Sequence, residues 1–559
     1  MNKQPLNEYP RPQFYRDSYK SLNGYWDYKI TKSSEIPNDF DGKILVPYSP
    51  ETKLSEVNHI LQPDEYLFYR LKFSLDDFEV KDKVFLHFLA VDQIAEVYLN
   101  GHLLGKHIGG FLPFSFEIQD YLEEENQVVV KVQDFSDTSY LSRGKQKLDH
   151  GGIWYTPQSG IYFPVFLESV PKEYVEAIRL TPDIDNEEIV INVKTTAETV
   201  AINVFDKTQH IPANKDVHLK VEKMRLWTPK DPYLYTIKVS TLHDDVFSYF
   251  AMRKFSLVKD DKGITRLGLN NKPYFMKGIL DQGYYKDGLL TPNNYDDYVK
   301  DIKFVKSLGF NMIRKHIKIE MPRWYYECDK HGLIVWQDFV NGGEKYKFST
   351  IAFPLITGIH HHDYNYKKFG RQNEEGRKQA IKEFKDTIEY LYNVPSIGLW
   401  TIFNEGWGQF DSKEVLKEMQ KLDETRLFDH ASGWHDQGVS DVKSYHVYFK
   451  RFKLKNPKIS EKRAIILSEF GGFVLAIDGH MMEGNHVYKS FKTLEEWLEK
   501  YRTTIYHDVL DNIPKGLSAI VYTQLSDVEE ELNGFITFDR EVVKVEPNRI
   551  RAINDMIKY

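Results

Sequence analysis

The second half of the chain, from about residue 258 onward, alternates short apolar runs with amphipathic helical segments. This alternation is typical of βα units, in which a parallel sheet packs against an outer layer of helices. Tyr298, Ile302 and Val305 repeat at helical spacing before Gly309, which predicts a helix that ends at this glycine. Eight such units predict a (β/α)8 barrel. The eight candidate strands are 274–279, 311–316, 333–337, 397–403, 427–432, 442–445, 464–467 and 518–522.

The first half of the chain lacks helical periodicity and instead carries short β-like runs. Asn100-Gly101 after an apolar run predicts a tight hairpin, because both residues tolerate a positive φ. We predict an all-β sandwich over residues 1–171, with a boundary near Val170-Pro171. A second strand-rich block has the length of an immunoglobulin-like β-sandwich over residues 172–257. The barrel then occupies residues 258–559.

Composition excludes several classes of protein. The 559 residues are 41% hydrophobic and 28% charged, which is typical of globular proteins of several domains. The net charge of −8 is spread without long basic runs, so neither nucleic acid nor a membrane surface is expected as a partner. The single cysteine, Cys328, the polar N-terminus and the lack of a long apolar run predict a cytoplasmic protein without disulfides. Abundant aromatics, at 14%, lean weakly toward a carbohydrate ligand.

Two carboxylates stand directly after predicted strands, where the active site of such a barrel lies. Glu405 follows the fourth strand and Glu469 follows the seventh. Retaining cleavage of a glycosidic bond needs two carboxyl groups ~5–5.5 Å apart, one to donate a proton and one to attack the anomeric carbon. We predict Glu405 as the acid/base and Glu469 as the nucleophile, since repulsion between close carboxylates keeps one of them protonated. Position alone leaves open that they are helix caps or surface pairs.

The residues around both glutamates resemble a known family. Asn404-Glu405-Gly406-Trp407 and Ser468-Glu469-Phe470-Gly471-Gly472 are similar to the acid/base and nucleophile motifs of glycoside hydrolase family 2, which includes β-galactosidases, β-glucuronidases and β-mannosidases. The resemblance extends over nearly the whole chain and implies an N-terminal jelly-roll, an immunoglobulin-like domain and a TIM barrel. Further motifs that carry it are Leu22-Asn23-Gly24-Tyr25-Trp26, Gly109-Gly110-Phe111-Leu112-Pro113-Phe114, Ser159-Gly160-Ile161-Tyr162, Leu226-Trp227-Thr228-Pro229 and Arg253-Lys254-Phe255.

The same resemblance implies roles for other residues. Arg314 on the second strand is expected to hold Glu469 ionised, and Asn404 to bind the 2-hydroxyl of the sugar. On the sixth strand, the family places a tyrosine beside the nucleophile, and Tyr448 is our choice, with His446 as a further sugar contact. Each of these residues could instead serve the core or a turn.

Four more residues follow barrel strands and could contact sugar. His316 and Asp338 end the second and third strands, and Trp407 and Trp434 lie beyond the fourth and fifth as a possible aromatic wall. Structural roles are the alternative for all four. The histidines at 360–362 invite a metal hypothesis, but adjacent histidines do not converge easily on one ion, so neither a metal nor a cofactor is predicted. Cys328 is expected to be an inert buried thiol.

Substrate identity is less constrained than family. Asn533-Gly534-Phe535-Ile536 stands where family β-glucuronidases carry an Asn-x-Lys element, which disfavours glucuronides. The end of the eighth strand, 522–527, lacks the tryptophan platform of many relatives, and 314–318 departs from their Arg-x-x-His pattern. We expect a β-galactosidase-like exo-enzyme. A β-mannosidase, arabinosidase or uronidase remains open, as do a non-catalytic carbohydrate-binding protein and a metal-dependent barrel hydrolase.

Two further expectations concern assembly and the barrel mouth. Family resemblance suggests a homo-oligomer. The segment 341–372 after the third strand is too long for a plain connection, and we expect it to fold over the site.

Overall fold

The computed structural model describes residues 4–482 and 488–559. Its N-terminal part contains a four-stranded and a six-stranded antiparallel sheet and a two-stranded ribbon, which enclose one apolar core. The predicted hairpin at Asn100-Gly101 is confirmed, because both residues have positive φ and join β7 to β8. The strands are β1 Tyr19–Ser21, β2 Gly24–Thr31, β3 Gly42–Val46, β4 Tyr66–Phe73, β5 Lys83–Phe88, β6 Val91–Asp92, β7 Ile94–Leu99, β8 His102–Ile108, β9 Phe114–Glu117, β10 Asn126–Gln133, β11 Gly160–Ile161 and β12 Val165–Val170.

A second sandwich follows, with a three-stranded and a four-stranded sheet around a separate core of valine and isoleucine. Its strands are β13 Val175–Asp183, β14 Glu188–Thr195, β15 Thr199–Val204, β16 Lys207–Pro212, β17 Val217–Lys220, β18 Tyr235–Ser240 and β19 Asp245–Phe250. A small antiparallel sheet of β20 Phe255–Lys259, β21 Thr265–Leu269 and β22 Lys272–Pro273 leads into the barrel. The limits 171/172 and 257/258 remain our prediction for the domain boundaries.

The last part is an eight-stranded parallel sheet, and each strand overlaps the strand predicted for it. The strands are β23 Met276–Asp281, β24 Met312–Lys315, β25 Ile334–Asp338, β26 Ile397–Thr401, β27 Leu427–Asp429, β28 Val442–Val447, β29 Ala464–Gly471 and β30 Leu517–Thr523. The helices are α1 Tyr295–Ser307, α2 Pro322–His331, α3 Phe348–Ile351, α4 Phe353–Thr357, α5 Tyr366–Phe369, α6 Glu374–Leu391, α7 Ser412–Leu422, α8 Leu494–Thr504 and α9 Pro547–Asn554.

The sheet curls into a nearly closed barrel. The strand order places β27 and β28 at the two edges of the sheet. Asp441, directly before β28, connects these edges through Phe428 of β27. The Asp441 amide donates to the Phe428 carbonyl at 3.2 Å, and the Phe428 amide donates to the Asp441 carboxylate at 2.8 Å. The predicted fold, two β-sandwiches followed by a TIM barrel, is therefore confirmed. Among the described residues, no helix has the length and hydropathy of a membrane span.

Trp227 from the second sandwich packs against the apolar core of the barrel. It is fully buried, donates from Nε1 to the Asp329 carbonyl at 2.9 Å, and belongs to the same apolar cluster as Met276 and Leu399 of the barrel strands. This contact couples the packing of the middle sandwich to that of the barrel.

We expect Trp227→Ala to lower the free energy of unfolding of the barrel by about 3–5 kcal/mol, because a large buried side chain is lost and the cavity closes only in part. Chemical denaturation followed by far-ultraviolet circular dichroism, which reports the backbone rather than the substituted tryptophan, measures this change. Leu242→Ala, at a position that is 82% exposed, is the matched control and should change the free energy by less than about 0.5 kcal/mol. Equal effects of the two substitutions would contradict the coupling.

Candidate active site

Glu405 lies four residues beyond β26, at the mouth of the barrel. Its backbone has φ +51°, in the left-handed region, and its amide donates to the Ser432 carbonyl at 2.9 Å. Gly406 follows with φ +74°, and a Cβ there would approach the His435 ring to 2.6 Å. The chain therefore makes a tight turn that points the glutamate into the barrel, and only glycine fits the position after it.

Glu469 belongs to β29 at a break in the strand register. Tyr445 pairs with Leu467, but the next pair is His446 with Glu469, so Ser468 is the extra residue of a β-bulge. A bulge changes the direction of the side chains that follow it, and here it turns Glu469 toward the barrel axis. A Cβ on Gly471 would meet the Tyr522 ring at 2.2 Å, which explains the glycine in this motif.

The two carboxylates approach each other closely. One oxygen of Glu405, one oxygen of Glu469 and a ring nitrogen of His446 lie within 4.8 Å of one another. Inverting glycosidases separate their carboxyl groups by about 6.5–9.5 Å and retaining ones by about 5–5.5 Å. The spacing therefore has the geometry of a retaining pair.

His446 bridges this pair. Its Nδ1 is 2.7 Å from Glu405 and 3.4 Å from Glu469, and its Nε2 is 2.9 Å from the hydroxyl of Ser432. Both ring nitrogens therefore contact protein groups, and the ring links the two carboxylates. A sugar contact of His446 stays our prediction.

Arg314 on β24 connects four strand ends. All five of its N–H groups donate, at 2.8–3.1 Å: two to Asp338, and one each to the Ser468 carbonyl, Glu469 and the Asn404 side-chain oxygen. The guanidinium is fully buried. This arrangement uses the complete donor set of arginine, which lysine could not reproduce.

The two glutamates have opposite pKa shifts. Burial raises the pKa of Glu405 above its ordinary value, and the negative charge of Glu469 adds to this, although the bond from His446 opposes it. Burial would also raise the pKa of Glu469, but His446 and Arg314 outweigh it and hold that pKa below its usual range. At neutral pH these shifts favour the proton on Glu405 and the negative charge on Glu469.

Asn404 and Tyr448 lie on either side of the pair. The Asn404 oxygen accepts from Arg314 at 2.8 Å, whereas its Nδ2 is buried and has no partner among residues 4–482 and 488–559. The Tyr448 hydroxyl donates to Glu469 and lies 3.1 Å from the Thr523 hydroxyl. Both residues are therefore where the sequence placed them, beside the carboxylates.

His316 and Asp338 form a pair behind the site. Asp338 is 1% exposed, and its oxygens accept from Arg314 and from His316 Nδ1, the latter at 2.8 Å. Burial lowers the pKa of His316 to about 4, so the ring is neutral. Asp338 positions Arg314 and His316 through these bonds. A sugar contact of Asp338 stays our prediction.

The two predicted tryptophans differ in exposure. Trp434 is half-buried, donates from Nε1 to the Glu405 carbonyl at 2.9 Å and packs its ring edge-on against His446. Trp407 is 2% exposed and lies between His316, at 6.2 Å between ring centres, and Trp154 of the N-terminal sandwich, at 5.0 Å. Trp434 can thus form a wall of the site, while Trp407 supports Trp154.

Four residues near the site were not predicted from the sequence. Lys145 and Trp154 come from the N-terminal sandwich, and the charge of Lys145 acts on both Glu405 and His316. Tyr488 packs on Tyr448 at 5.1 Å between ring centres. Glu531, after β30, accepts from the Tyr155 hydroxyl. No local pattern marks these residues, since contacts between distant segments bring them to the barrel mouth.

The segment 341–372 contains α3, α4 and α5 and contacts the turns that follow β26 and β27. That it folds over the site stays our prediction. Arg371 donates to the Gly408 carbonyl at 2.8 Å, and His435 lies 2.8 Å from the Thr350 carbonyl. Its histidines contact different groups: His360 the Asp436 carbonyl, His361 Lys368, and His362 the Tyr364 ring.

In the part of the chain that the structure describes, two groups have ligand atoms close enough for a metal ion, namely Glu405, His446 and Glu469, and His480, Asp539 and Glu541. In the first group, the His446 nitrogen already lies 2.7 Å from Glu405, so a metal would have to displace this hydrogen bond. Cys328 is buried in α2, as predicted, and burial raises the pKa of its thiol well above the usual range.

The fold and the site define a multidomain barrel protein with a buried pair of carboxylates at its mouth. Family models match three successive parts of the chain: the glycosyl hydrolases family 2 sugar binding domain at 56–171, a glycosyl hydrolases family 2 model at 173–253, and the family 2 TIM barrel domain at 262–544. The chain therefore belongs to glycosyl hydrolase family 2, a family of retaining O-glycoside hydrolases, and the predicted family is confirmed.

Known relatives differ in the sugar they are named for. The chain is similar to a β-galactosidase from Photobacterium profundum, 27% identical over 76% of this chain and 43% of that protein. It is also similar to a β-glucuronidase from Streptococcus agalactiae, 22% identical over 71% of this chain and 68% of that one. The structure of a β-D-glucuronidase from Dictyoglomus thermophilum shares the fold, with a TM-score of 0.76, 18% identity and coverage of 98% and 99%. The chain spans less than two thirds of the length of several curated relatives it matches.

The opposite pKa shifts of the two carboxyls can be tested by nuclear magnetic resonance of side-chain-labelled glutamate. We expect Glu469→Gln to lower the pKa of Glu405, because a neighbouring negative charge that raises it is removed. Glu495→Gln, which removes an exposed acid on α8, is the control and should leave that pKa unchanged. A pKa of Glu405 that is unaltered or higher in Glu469→Gln would contradict the coupling of the pair.

Proposed function

We propose that the chain is a retaining exo-β-glycosidase that acts by double displacement, with Glu405 as acid/base and Glu469 as nucleophile. The observation that carries this proposal is the approach of the two carboxylates to within 4.8 Å, with opposite pKa shifts. A non-catalytic sugar-binding role would not require such a pair.

In the first step, Glu405 donates its proton to the glycosidic oxygen while the Glu469 oxygen attacks the anomeric carbon, so the bond to the leaving group breaks as a glycosyl ester forms. Arg314 and Tyr448 hold the attacking carboxylate in place through bonds to different oxygens. The Asn404 Nδ2, which is buried and unpartnered among the described residues, can donate to the 2-hydroxyl of the sugar.

In the second step, Glu405 acts as the base. Esterification removes the negative charge of Glu469, and with it one of the factors that raise the pKa of Glu405. Glu405 can then accept a proton from water as the water oxygen attacks the anomeric carbon and releases Glu469.

Contacts between the N-terminal sandwich and the barrel support action at a chain end. The N-terminal sandwich reaches the barrel mouth through residues 142–144, where the Arg143 and Gly144 amides both donate to the Asn341 carbonyl, at 3.0 and 3.1 Å. Trp154 then packs on Trp407 and walls off one side. A cleft of about 640 Å³ opens beside Trp154 and Tyr346, and we assign it to the leaving group.

The terminal sugar is either a β-galactoside, which we expect from the sequence, or a β-uronide, which the position of Lys145 favours. Curated relatives include proteins named for each. At strand eight, Asn533 is fully buried and its amide binds Gln524 and Glu531, so this element offers no cation to a sugar carboxylate. The observation that favours a uronide is Lys145, which lies elsewhere in the pocket. A carbohydrate substrate, a homo-oligomer and a cytoplasmic location complete the proposal.

We expect Glu469→Gln to lose activity on aryl β-glycosides by about 10⁴-fold or more, since the nucleophile is removed. Glu405→Ala should retain turnover of a dinitrophenyl glycoside and be accelerated by azide, which replaces base-assisted water and yields a β-glycosyl azide. Product analysis by chromatography measures this. Azide should not affect the Glu469→Gln variant, and activity should survive a chelator. Loss of all activity with chelator would favour a metal-dependent hydrolase.

The pH profile of kcat/KM should be bell-shaped. Activity requires ionised Glu469 and protonated Glu405, so it falls as pH drops through the lowered pKa of Glu469 and as pH rises through the raised pKa of Glu405. With a dinitrophenyl glycoside, whose departure needs no proton, Glu405→Ala should lose the alkaline limb and keep the acid limb. Retention of both limbs would contradict the assignment of Glu405.

A further inference from the structure

Lys145 is an unusual cation for the interior of this protein. Four lysines among the described residues are buried: Lys145, Lys315, Lys318 and Lys544. The last three each form an ion pair, with Asp281 and Glu320, with Glu320, and with Asp527 respectively. Lys145, at 6% exposure, has no ion-pair or hydrogen-bond partner for its Nζ within residues 4–482 and 488–559.

Aromatic rings surround this ammonium group. Its Nζ lies 5.1 Å from the centre of the Trp407 ring, 5.4 Å from that of Tyr155 and 6.0 Å from that of Trp154. Each cation–π contact contributes about 0.5–2 kcal/mol, whereas an isolated buried ammonium costs several kcal/mol. The rings therefore offset only part of the cost, and they supply no hydrogen-bond acceptor.

The position of Lys145 is fixed by the backbone around it. Its carbonyl accepts from the Tyr155 amide at 3.0 Å, and the preceding residues 142–144 are bound to the barrel segment 341–343. The ammonium is therefore held at the barrel mouth, near enough for its charge to act on Glu405 and His316. A rigid donor at this place is suited to bind substrate rather than solvent.

We propose that Lys145 binds a carboxylate carried by the substrate, so that the enzyme prefers glycosides with a uronic acid over their neutral counterparts. This inference rests on the proposed glycosidase function and names its substrate class. The carboxylate would supply the acceptor that the ammonium lacks, in a charge-assisted hydrogen bond. The chain lacks the lysine of the Asn-x-Lys element after the eighth strand, and Lys145 of the N-terminal sandwich would take over its role.

Glu531 restricts where such a carboxylate can lie. It accepts from Tyr155 and from Asn533, so it is held on the hydroxyl side of the Tyr155 ring. Its negative charge would repel an acid near strand eight. The substrate carboxylate is therefore expected on the Lys145 side of the aromatic cage, beside Trp407.

Pairs of 4-nitrophenyl substrates that differ only at carbon 6 test this inference: β-galactoside against β-galacturonide, and β-glucoside against β-glucuronide. A β-galactoside of a carboxylated phenol distinguishes an acid on the leaving group from one on the terminal sugar. We expect wild type to have at least tenfold higher kcat/KM for an acidic substrate than for its neutral partner. Lys145→Met should reduce that ratio by about 10- to 100-fold, mainly through KM, because a charged hydrogen bond is lost.

Two variants serve as controls. Lys145→Arg keeps the charge and should retain most of the preference, whereas Lys32→Met removes an exposed charge directly after β2 and should leave the ratio unchanged. A wild-type preference for the neutral partner in every pair, or an equal loss on both partners in Lys145→Met, would overturn the inference and leave the glycosidase proposal standing. Turnover of no substrate by wild type would contradict the glycosidase proposal itself.

A binding measurement on wild type keeps the inference testable even if Lys145→Met fails to fold. Isothermal titration should show tighter binding of galacturonate or glucuronate than of galactose or glucose. Weaker binding of both acids than of the neutral sugars would overturn the proposal.

Discussion

The site depends on the guanidinium of Arg314, which is buried and uses all five of its donors. Through these bonds it joins β24 to the ends of β25 and β29 and to the residue before Glu405. A buried charge is tolerable only when it is paired and fully hydrogen-bonded, so Asp338 and Glu469 must be ionised for the barrel mouth to be stable. The interaction that stabilises the fold here is thus the same one that keeps one carboxylate negative.

The difference between the two glutamates follows from their surroundings. Both are buried, which by itself would keep both protonated. Glu469 has Arg314, His446 and the Tyr448 hydroxyl around it, whereas within residues 4–482 and 488–559 the Glu405 carboxylate is hydrogen-bonded to His446 alone. These surroundings favour the proton on Glu405 and the negative charge on Glu469. The N-terminal sandwich contributes by packing residues 142–144 and Trp154 against the barrel mouth beside this pair.

Much of the fold could be predicted from the sequence, because apolar runs and helical spacing are local signals that eight barrel strands and helices such as α1 and α6 follow. Glu405 and Glu469 could be predicted for a similar reason, since they directly follow predicted strands within recognisable motifs. Two contacts could not be predicted: His446 lies between the two glutamates, and Asp338 pairs with Arg314. Both depend on side-chain distances across the barrel. Lys145 and Trp154 lie hundreds of residues from the glutamates, and only the docking of the N-terminal sandwich on the barrel brings them to the site.

The most direct test of the account is to identify the residue that forms the covalent intermediate. A 2-deoxy-2-fluoro glycoside with a good leaving group slows hydrolysis of the glycosyl-enzyme, and peptide mass spectrometry then locates the attached sugar. The account predicts one sugar per chain on the peptide that contains Glu469, with its carboxylate as the attachment point. Attachment at Glu405, or rapid hydrolysis of glycosides with inversion and no attached sugar, would contradict it.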